Sequence, residues 1–408
     1  MGLEAINLDP EPQERVVGGH LEALFPAVRP VRAPEIAVTV DINEVAEFWL
    51  ELEKSGLQSP AQSHTFVADW VQSQAIPVDD QIYATASLQG QPLALLALEK
   101  SSRWGASLYR PFAPAHSGSC APLVNEDLMR TLPPQARYAM WERMLNLLPK
   151  TDIVLHPCIV EPGEDGAELY AGLGERILAE TLYRVQFESW EECDRQQRTR
   201  SRRKHDKQQG ARLEAMGEVT FEELGPGDDV AEPLRTLFDH KAVRFAEQGI
   251  SNPFAGRSVQ DFYKGLFAEG RDLSARMHVL RLNGRIVSVR YHLVHQDRLF
   301  TLITSMSPDP AVQNGSPGKQ NMLRVMQTIF NDGVAYCDMG AGFSDEKRHW
   351  CNIRLPLYHH YHARTPYGRA CAASWRTIHR LKARLKSSPA AYGLYKQWRA
   401  RFGAQSDS

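Results

Sequence analysis

Residues 285–347 read RIVSVRYHLVHQDRLFTLITSMSPDPAVQNGSPGKQNMLRVMQTIFNDGVAYCDMGAGFSDEK. Period-two alternation over RIVSVRYHLVH and RLFTLITSM predicts two strands of a hairpin. SPDPAVQNGSPGKQ is a glycine-containing loop, NMLRVMQTIFNDG a helix with a glycine stop, VAYCDMG a further strand, and AGFSDEKRHW a charge-dense bend. The order strand, loop, helix delivers backbone amides to a helix start directly after a strand, which suits a phosphate-bearing ligand.

Two groups of residues in this stretch could carry chemistry. In QNGSPGKQNML (313–323), Ser316 and Pro317 fit a helix N-cap and first turn. Gly318 would leave the Lys319 and Gln320 amides unobstructed, and Lys319 adds a cation. An ordinary Ser-Pro helix start after a surface loop fits the same spacing; neither GxxxxGK[ST] nor GxGxxG is present. In YCDMGAGFSDEKRHW (336–350), Asp338 ends a strand, and Asp345, Glu346, Lys347, Arg348 and His349 crowd the turn beyond it. Charged groups past a strand's carboxyl end commonly line a site in α/β proteins. Asp338 could orient or deprotonate an amine and Lys347 could neutralise an acyl or phosphate oxygen; a solvated loop with local ion pairs is the alternative.

Outward from this stretch, Asn283-Gly284 is the strongest hairpin signal in the chain. The helices DDVAEPLRTLFDHKAVRFAEQG and SVQDFYKGLFAEG precede it, with Phe245, Phe254, Phe262, Tyr263 and Phe267 equally suited to core or to an acyl pocket. Eight Lys or Arg face the single acid Asp206 between Arg195 and Arg212. That segment is either a solvated helix face or a seat for an anionic partner: phosphates, acidic saccharide, tRNA backbone or lipid headgroups. No Asp or Glu occurs between Tyr361 and Gln405. Upstream, residues 35–160 repeat the element order, with a helix pair, a hairpin at Gln89-Gly90, a strand, a helix and a strand; GAELYAGLGERILAE (166–180) is expected as a linking helix and TLYRVQF as a strand. His359, His360 and His362 alternate along a strand and so do not converge on a metal.

The 408 residues suit two domains. A net charge of −2 supplies no global pull toward nucleic acid or membrane, and the six scattered cysteines fit free thiols in a reducing compartment. No signal peptide, bilayer-spanning apolar run, nucleophile elbow or HExxH motif is legible, so a cytoplasmic location is expected and common hydrolase classes are disfavoured.

SRRKHDKQQGARLEAMGEVTFEEL, GRIVSVRYHLVHQDRLFTLITSMSPD and SPGKQNMLRVMQTIFNDGVAYCDMGAGFSDEKRHW together resemble the CelD/BcsL-type acyltransferases of the GNAT superfamily, close to the FemAB aminoacyltransferases. The likeness spans roughly residues 35–365 and is strongest over 189–350. Arg202, Arg203, Lys204, Arg212, Leu213, Glu214, Gly217, Val219 and Phe221 match the family's basic helix and strand. Ser316, Pro317 and Gly318 match its S-P-G, and Asp338, Gly340, Gly342, Lys347 and Trp350 its D-x-G-x-G…K…W, with Glu346 where the family commonly has Tyr.

The resemblance implies an α/β fold of tandem GNAT-like (acyl-CoA N-acyltransferase) domains with mixed central sheets. They would occupy 35–188 and 189–365, between an irregular lead-in (1–34) and a basic helical tail (366–408). It implies acyl transfer from acetyl-CoA or a longer acyl-CoA, without metal, to an amine or hydroxyl on a small-molecule, saccharide or peptide acceptor, in exopolysaccharide or cell-envelope metabolism. The donor would lie on a splayed strand edge at Ile303, Thr304, Ser305 and Met306. Gln313, Ser316 and Gly318 stand at the spacing of the superfamily's pyrophosphate signature, beside Lys319 and Gln320. Asp338 is the expected base, with Asp345 or His240 as substitutes. Aminoacyl transfer from tRNA and a non-catalytic scaffold are the alternatives.

Overall fold

The computed structural model describes residues 33–112, 118–161 and 169–387, with side chains to Leu381. The expected lead-in (1–34) falls almost wholly outside these residues, as does the tail beyond 387. In chain order the elements are β1 (Glu35–Thr39), α1 (Ala46–Glu53), α2 (His64–Ser73), β2 (Gln81–Leu88), β3 (Gln91–Arg103), β4 (Ala106–Pro111) and β5 (Leu123–Val124). Then come α3 (Glu126–Thr131), α4 (Pro134–Leu147), β6 (Ile153–Val160), β7 (Glu175–Val185), α5 (Trp190–Gln197), α6 (Arg200–Glu214), β8 (Val219–Leu224), α7 (Ala231–Glu247) and α8 (Arg257–Gly265). The remainder is β9 (Leu273–Leu282), β10 (Arg285–His295), β11 (Arg298–Met306), α9 (Pro310–Gln313), α10 (Pro317–Thr328), β12 (Tyr336–Ala341), α11 (Asp345–Trp350), β13 (Ile353–Ala363) and α12 (Pro366–Ser387).

Among the described residues thirteen strands form one mixed sheet, in the order β1-β2-β3-β4-β6-β13-β7-β12-β11-β10-β9-β8, with β5 added on β3. The order mirrors itself about the centre. Each half is an antiparallel meander followed by one parallel neighbour, β4 with β6 and β11 with β12. The final strand of each half crosses over: β7 pairs with β12, and β13 pairs with β6 and β7. The described residues accordingly form a single compact unit.

The hairpins close where the residues permit left-handed backbone. Asn283 and Gly284 have φ of 50° and 75°, the pair a tight I′-like turn requires. Asn283 also accepts the Glu218 amide and donates to Met216 O, and Gly217 beside it leaves room that a Cβ would fill. The core lies on both faces of the sheet. Alternate residues of β9–β11 (Met277, Val279, Val289, Tyr291, Ile303) pack under α7 and α8, and Met322, Val325 and Met326 of α10 cover the other face. Phe254, Phe262, Tyr263 and Phe267 are buried in that first layer and are core, not an open acyl pocket.

Two local expectations are corrected. The linking helix expected over 166–180 gives way to a strand from Glu175 on: β7 is extended there by pairing along β13 from Glu175 to Arg184. Its good helix formers are overridden by a ladder between distant segments. The basic segment is two helices, broken at Arg198-Thr199, where Thr199 caps α6 by accepting the Arg202 amide.

Candidate functional site

β11 and β12 run parallel only from Arg298–Phe300 against Tyr336–Asp338, and beyond Phe300 that edge of β11 has no strand partner among the described residues. A bulge at Leu302 sharpens the parting: Tyr291 faces Ile303 while His292 faces Thr301. Bulges bend the strand that carries them and re-aim its side chains. A cavity of about 470 Å³ opens here, lined by Phe300, Thr301, Leu302 and Thr304 of β11, Asp338–Ala341 of β12, and Ser344, Glu346 and Lys347. The opposite wall comes from the other half of the chain: Gln58, Ser59, Pro60, Gly118, Ser119 and Cys158. A wider depression of about 900 Å³ takes in Glu51 and the start of α3, whose first turn carries the acids Glu126 and Asp127 and so does not suit an anionic ligand. The smaller cavity is the better candidate because the parted strands β11 and β12 open into it.

Asp338 is buried, and both its oxygens are engaged. Oδ2 accepts from Arg184 Nε at 3.0 Å and Oδ1 from the Gly340 amide at 2.7 Å. Burial pushes its carboxyl up, against the pull of Arg184, the Gly340 amide and Lys347. Arg184 also lies 4.6 Å from the Tyr336 ring and donates to Gln58 Oε1 at 3.3 Å, so β7 anchors the carboxylate to the opposite wall. Lys347 donates to Gly340 O (3.2 Å) and Ala341 O (2.5 Å), which leaves one ammonium proton, and burial lowers its pKa. Glu346 is held by Arg290, a 3% exposed side chain whose Nη2 also donates to Gly318 O at 2.8 Å. Arg290 thus ties the start of α10 to the cavity wall, while its Nε and Nη1 find no partner among the described residues.

The start of α10 differs from the simplest reading. Ser316 stands at the N-cap with φ +51°, but its Oγ accepts from Gln209 Nε2 at 2.7 Å instead of capping. The Lys319 and Gln320 amides, expected free, both bond Ser316 O. Gln320 is turned away: its buried amide donates to Asp206 O and packs against Gly210, joining α10 to α6. Gly318 N keeps no protein partner among the described residues, and the nearest atom to a Cβ placed there is Met306 Sδ at 3.6 Å. Lys319 is exposed, and Gln313 lies against Ser307 O and Pro308 O. One free amide, an open approach, a cation and the helix dipole therefore sit at the end of β11, a set that fits an anionic pyrophosphate.

The remaining expected residues divide. Thr304 lines the cavity and exposed Met306 lies under Gly318, but Ile303 is core, and Ser305 points to the other face, where its Oγ is 3.4 Å from His240 Nδ1. His240 is not on the cavity wall, and burial lowers its pKa. Asp345 projects into solvent toward Arg348 with its side chain 74% exposed, so it is not placed to act on a bound acceptor. Arg184, Arg290 and the 58–60 segment were not anticipated. A charged residue inside an apolar strand, as in TLYRVQF and RIVSVRYHLVH, is the signal that could have found the two arginines. Part of the positive charge of the basic segment 195–212 is met within it, since Arg198 and Arg202 pair with buried Asp206 and Arg203 with Asp194. His360 pairs with Glu161, and among the described residues no group of three or more His, Cys, Asp or Glu could hold a metal.

Residues 200–348 match the acetyltransferase (GNAT) domain family. No curated protein matches the sequence. In fold the chain is similar to FemX (TM-score 0.54, 10% identity, covering 80% of this chain and 96% of that one). It is also similar to the C-terminal DUF2156 domain of a protein assigned as a lysylphosphatidylglycerol synthetase from Agrobacterium fabrum (TM-score 0.50, 13% identity, 82% and 96%). The cavity and the start of α10 fall within or against the matched segment, so the candidate site belongs to the part of the chain that matches the acetyltransferase (GNAT) domain.

Proposed function

We propose that the protein transfers an acyl group from acetyl-CoA or a longer acyl-CoA to an amine or hydroxyl, as a CelD/BcsL-type member of the superfamily with two GNAT-like halves that exchange their last strands. The observation that carries this reading is the parting of β11 and β12 with the start of α10 at its mouth. The thioester arm would lie along the open edge at Thr304–Met306, with its pyrophosphate at Gly318 and Lys319. Lys347, with its spare proton, would stabilise the developing oxyanion. Asp338, held by Arg184, would orient the nucleophile or take its proton. A saccharide or peptide acceptor of exopolysaccharide or cell-envelope metabolism, met in the cytoplasm, fits the family resemblance.

Calorimetric titration with CoA and acetyl-CoA tests this. Micromolar binding, much weakened by Lys319→Glu, is the expected result. A folded protein that binds no acyl-CoA overturns it. The second reading, aminoacyl transfer from tRNA, is favoured by the fold shared with FemX. It would replace the first if charged tRNA binds with a steep salt dependence while CoA does not.

A further inference from the structure

The β3–β4 hairpin turns at Trp104-Gly105, with φ of 54° and 77°, and its tip leaves Trp104 52% exposed. The ring is held there. It packs against Trp375 of α12, the ring centroids 5.7 Å apart, with Arg103 5.5 and 5.3 Å from the two rings, and Tyr367 Oη donates to Trp104 O at 2.6 Å. Hairpin tip and helix are therefore one surface.

α12 faces the sheet with Cys371, Ala372 and Trp375, all buried. Its other side grades from one character to another. Tyr367, Ser374, Ile378 and Leu381, spaced seven, four and three apart, follow one line, with Tyr367 50% and Leu381 53% exposed. Arg369, Arg376 and Arg380 follow another; Arg376 pairs with Glu175. Ten Lys or Arg and no acid lie between Arg364 and Arg401. Exposed Trp and Tyr beside Leu, flanked by an excess of arginine, is the composition of helices that lie in a bilayer interface. A nucleic-acid backbone would be served by the arginines but would leave Leu381 and Ile378 without a partner. No described helix is long and apolar enough to cross a membrane, so the contact is one of lying on it.

We propose that α12 and the Trp104 hairpin tip dock the protein on an anionic lipid surface. The full chain is sedimented with vesicles of phosphatidylcholine alone and of phosphatidylcholine with phosphatidylglycerol, at low and high salt. Retention by the anionic vesicles only, reduced by salt, is expected. Trp104→Ser should weaken it about tenfold and Arg380→Ala about fivefold. Circular dichroism and acetyl-CoA binding should stay as in the parent, because neither residue touches the cavity. Three results overturn the proposal: no retention, equal retention by both vesicles, or retention indifferent to Trp104→Ser and Leu381→Ser together. Tight binding of bulk tRNA without vesicle retention also overturns it, in favour of a nucleic-acid surface.

Discussion

The two halves share a strand order but treat their parted strands differently. In the first half β4 and β6 pair over two positions, at Leu108 with Ile153 and Tyr109 with Val154, and the gap beyond is filled. Residues 119–124 run into it, β5 adds to β3, and Ala121 and Leu123 are buried there. About 20 Å³ remains, against Trp49, Gln62 and His156. In the second half nothing comparable enters among the described residues, β11 bulges at Leu302 where the β3–β4 ladder has no shift, and about 470 Å³ stays open. The helix starts differ in the same sense: Pro317-Gly318-Lys319 opens α10, and Pro134-Gln135-Ala136 opens α4. One architecture thus yields a packed wall in one half and a cleft in the other. The filled half supplies the cleft's far side.

Breaking the exchange should have the largest effect. Arg184, carried by the crossed-over strand β7, pairs with Asp338 while both side chains are under one-tenth exposed. Removing one member of a buried pair costs about 3–5 kcal/mol. Arg184→Met should therefore lower urea stability by that amount, and Arg184→Met with Asp338→Leu should recover much of it without restoring activity.

Next in size is the contrast between helix starts. Gly318→Trp should weaken acetyl-CoA binding about 100-fold, roughly 2.7 kcal/mol, by covering the free amide. Gln135→Trp, at the equivalent exposed position of α4, should leave calorimetric binding unchanged. Equal losses in both would show that the first half also binds donor.

A smaller effect separates two buried carboxyls. Asp338 has Arg184, whereas Glu53 of α1 is buried with the His64 amide and no ion pair among the described residues; burial pushes its pKa up to about 7, aided by Asp272. A raised folded pKa means that Glu53 favours the fold below its ordinary value near 4.5 and that this contribution is lost as pH rises through about 7. Glu53→Gln should be nearly neutral in stability at acid pH and stabilising by about 1–2 kcal/mol in mildly alkaline buffer. Denaturant curves at the two pH values would show it, and equal effects at both would refute the assignment.

The smallest change is expected in the filled gap. His156 is fully buried, neither ring nitrogen has a partner among the described residues, and burial with His360 and His362 nearby lowers its pKa to about 3. At neutral pH, His156→Leu should move stability by less than about 1.5 kcal/mol and leave turnover unchanged. Because the lowered pKa costs stability as pH falls below 6.5, the variant should also resist acid better than the parent.

Legibility in the sequence followed the range of the interaction that forms each feature. The hairpin at Asn283-Gly284, β11, α10 and β12 stand where period and turn residues place them, because those signals act within a few residues. The helix expected over 166–180 does not reach past Gly174, because β7 owes its extension from Glu175 to β13, nearly two hundred residues on. Within the site, Asp338 and Lys347 could be named from their place after a strand, and both line the cavity. Gln320 could not be excluded from spacing alone: only the packing of α10 on α6 turns its side chain toward Asp206.

By itself the sequence determined the α/β class, the strand, loop and helix order of 285–347, the glycine at the start of α10, and the paired charges beyond β12. These depend on backbone preference and local hydrophobic period. Tertiary structure alone decided the exchange of β7 and β13, the delivery of Arg184 to Asp338, the filling of one gap and the opening of the other. Those outcomes turn on which distant strands share a ladder, and pairing energy of that kind leaves no periodic trace in either strand.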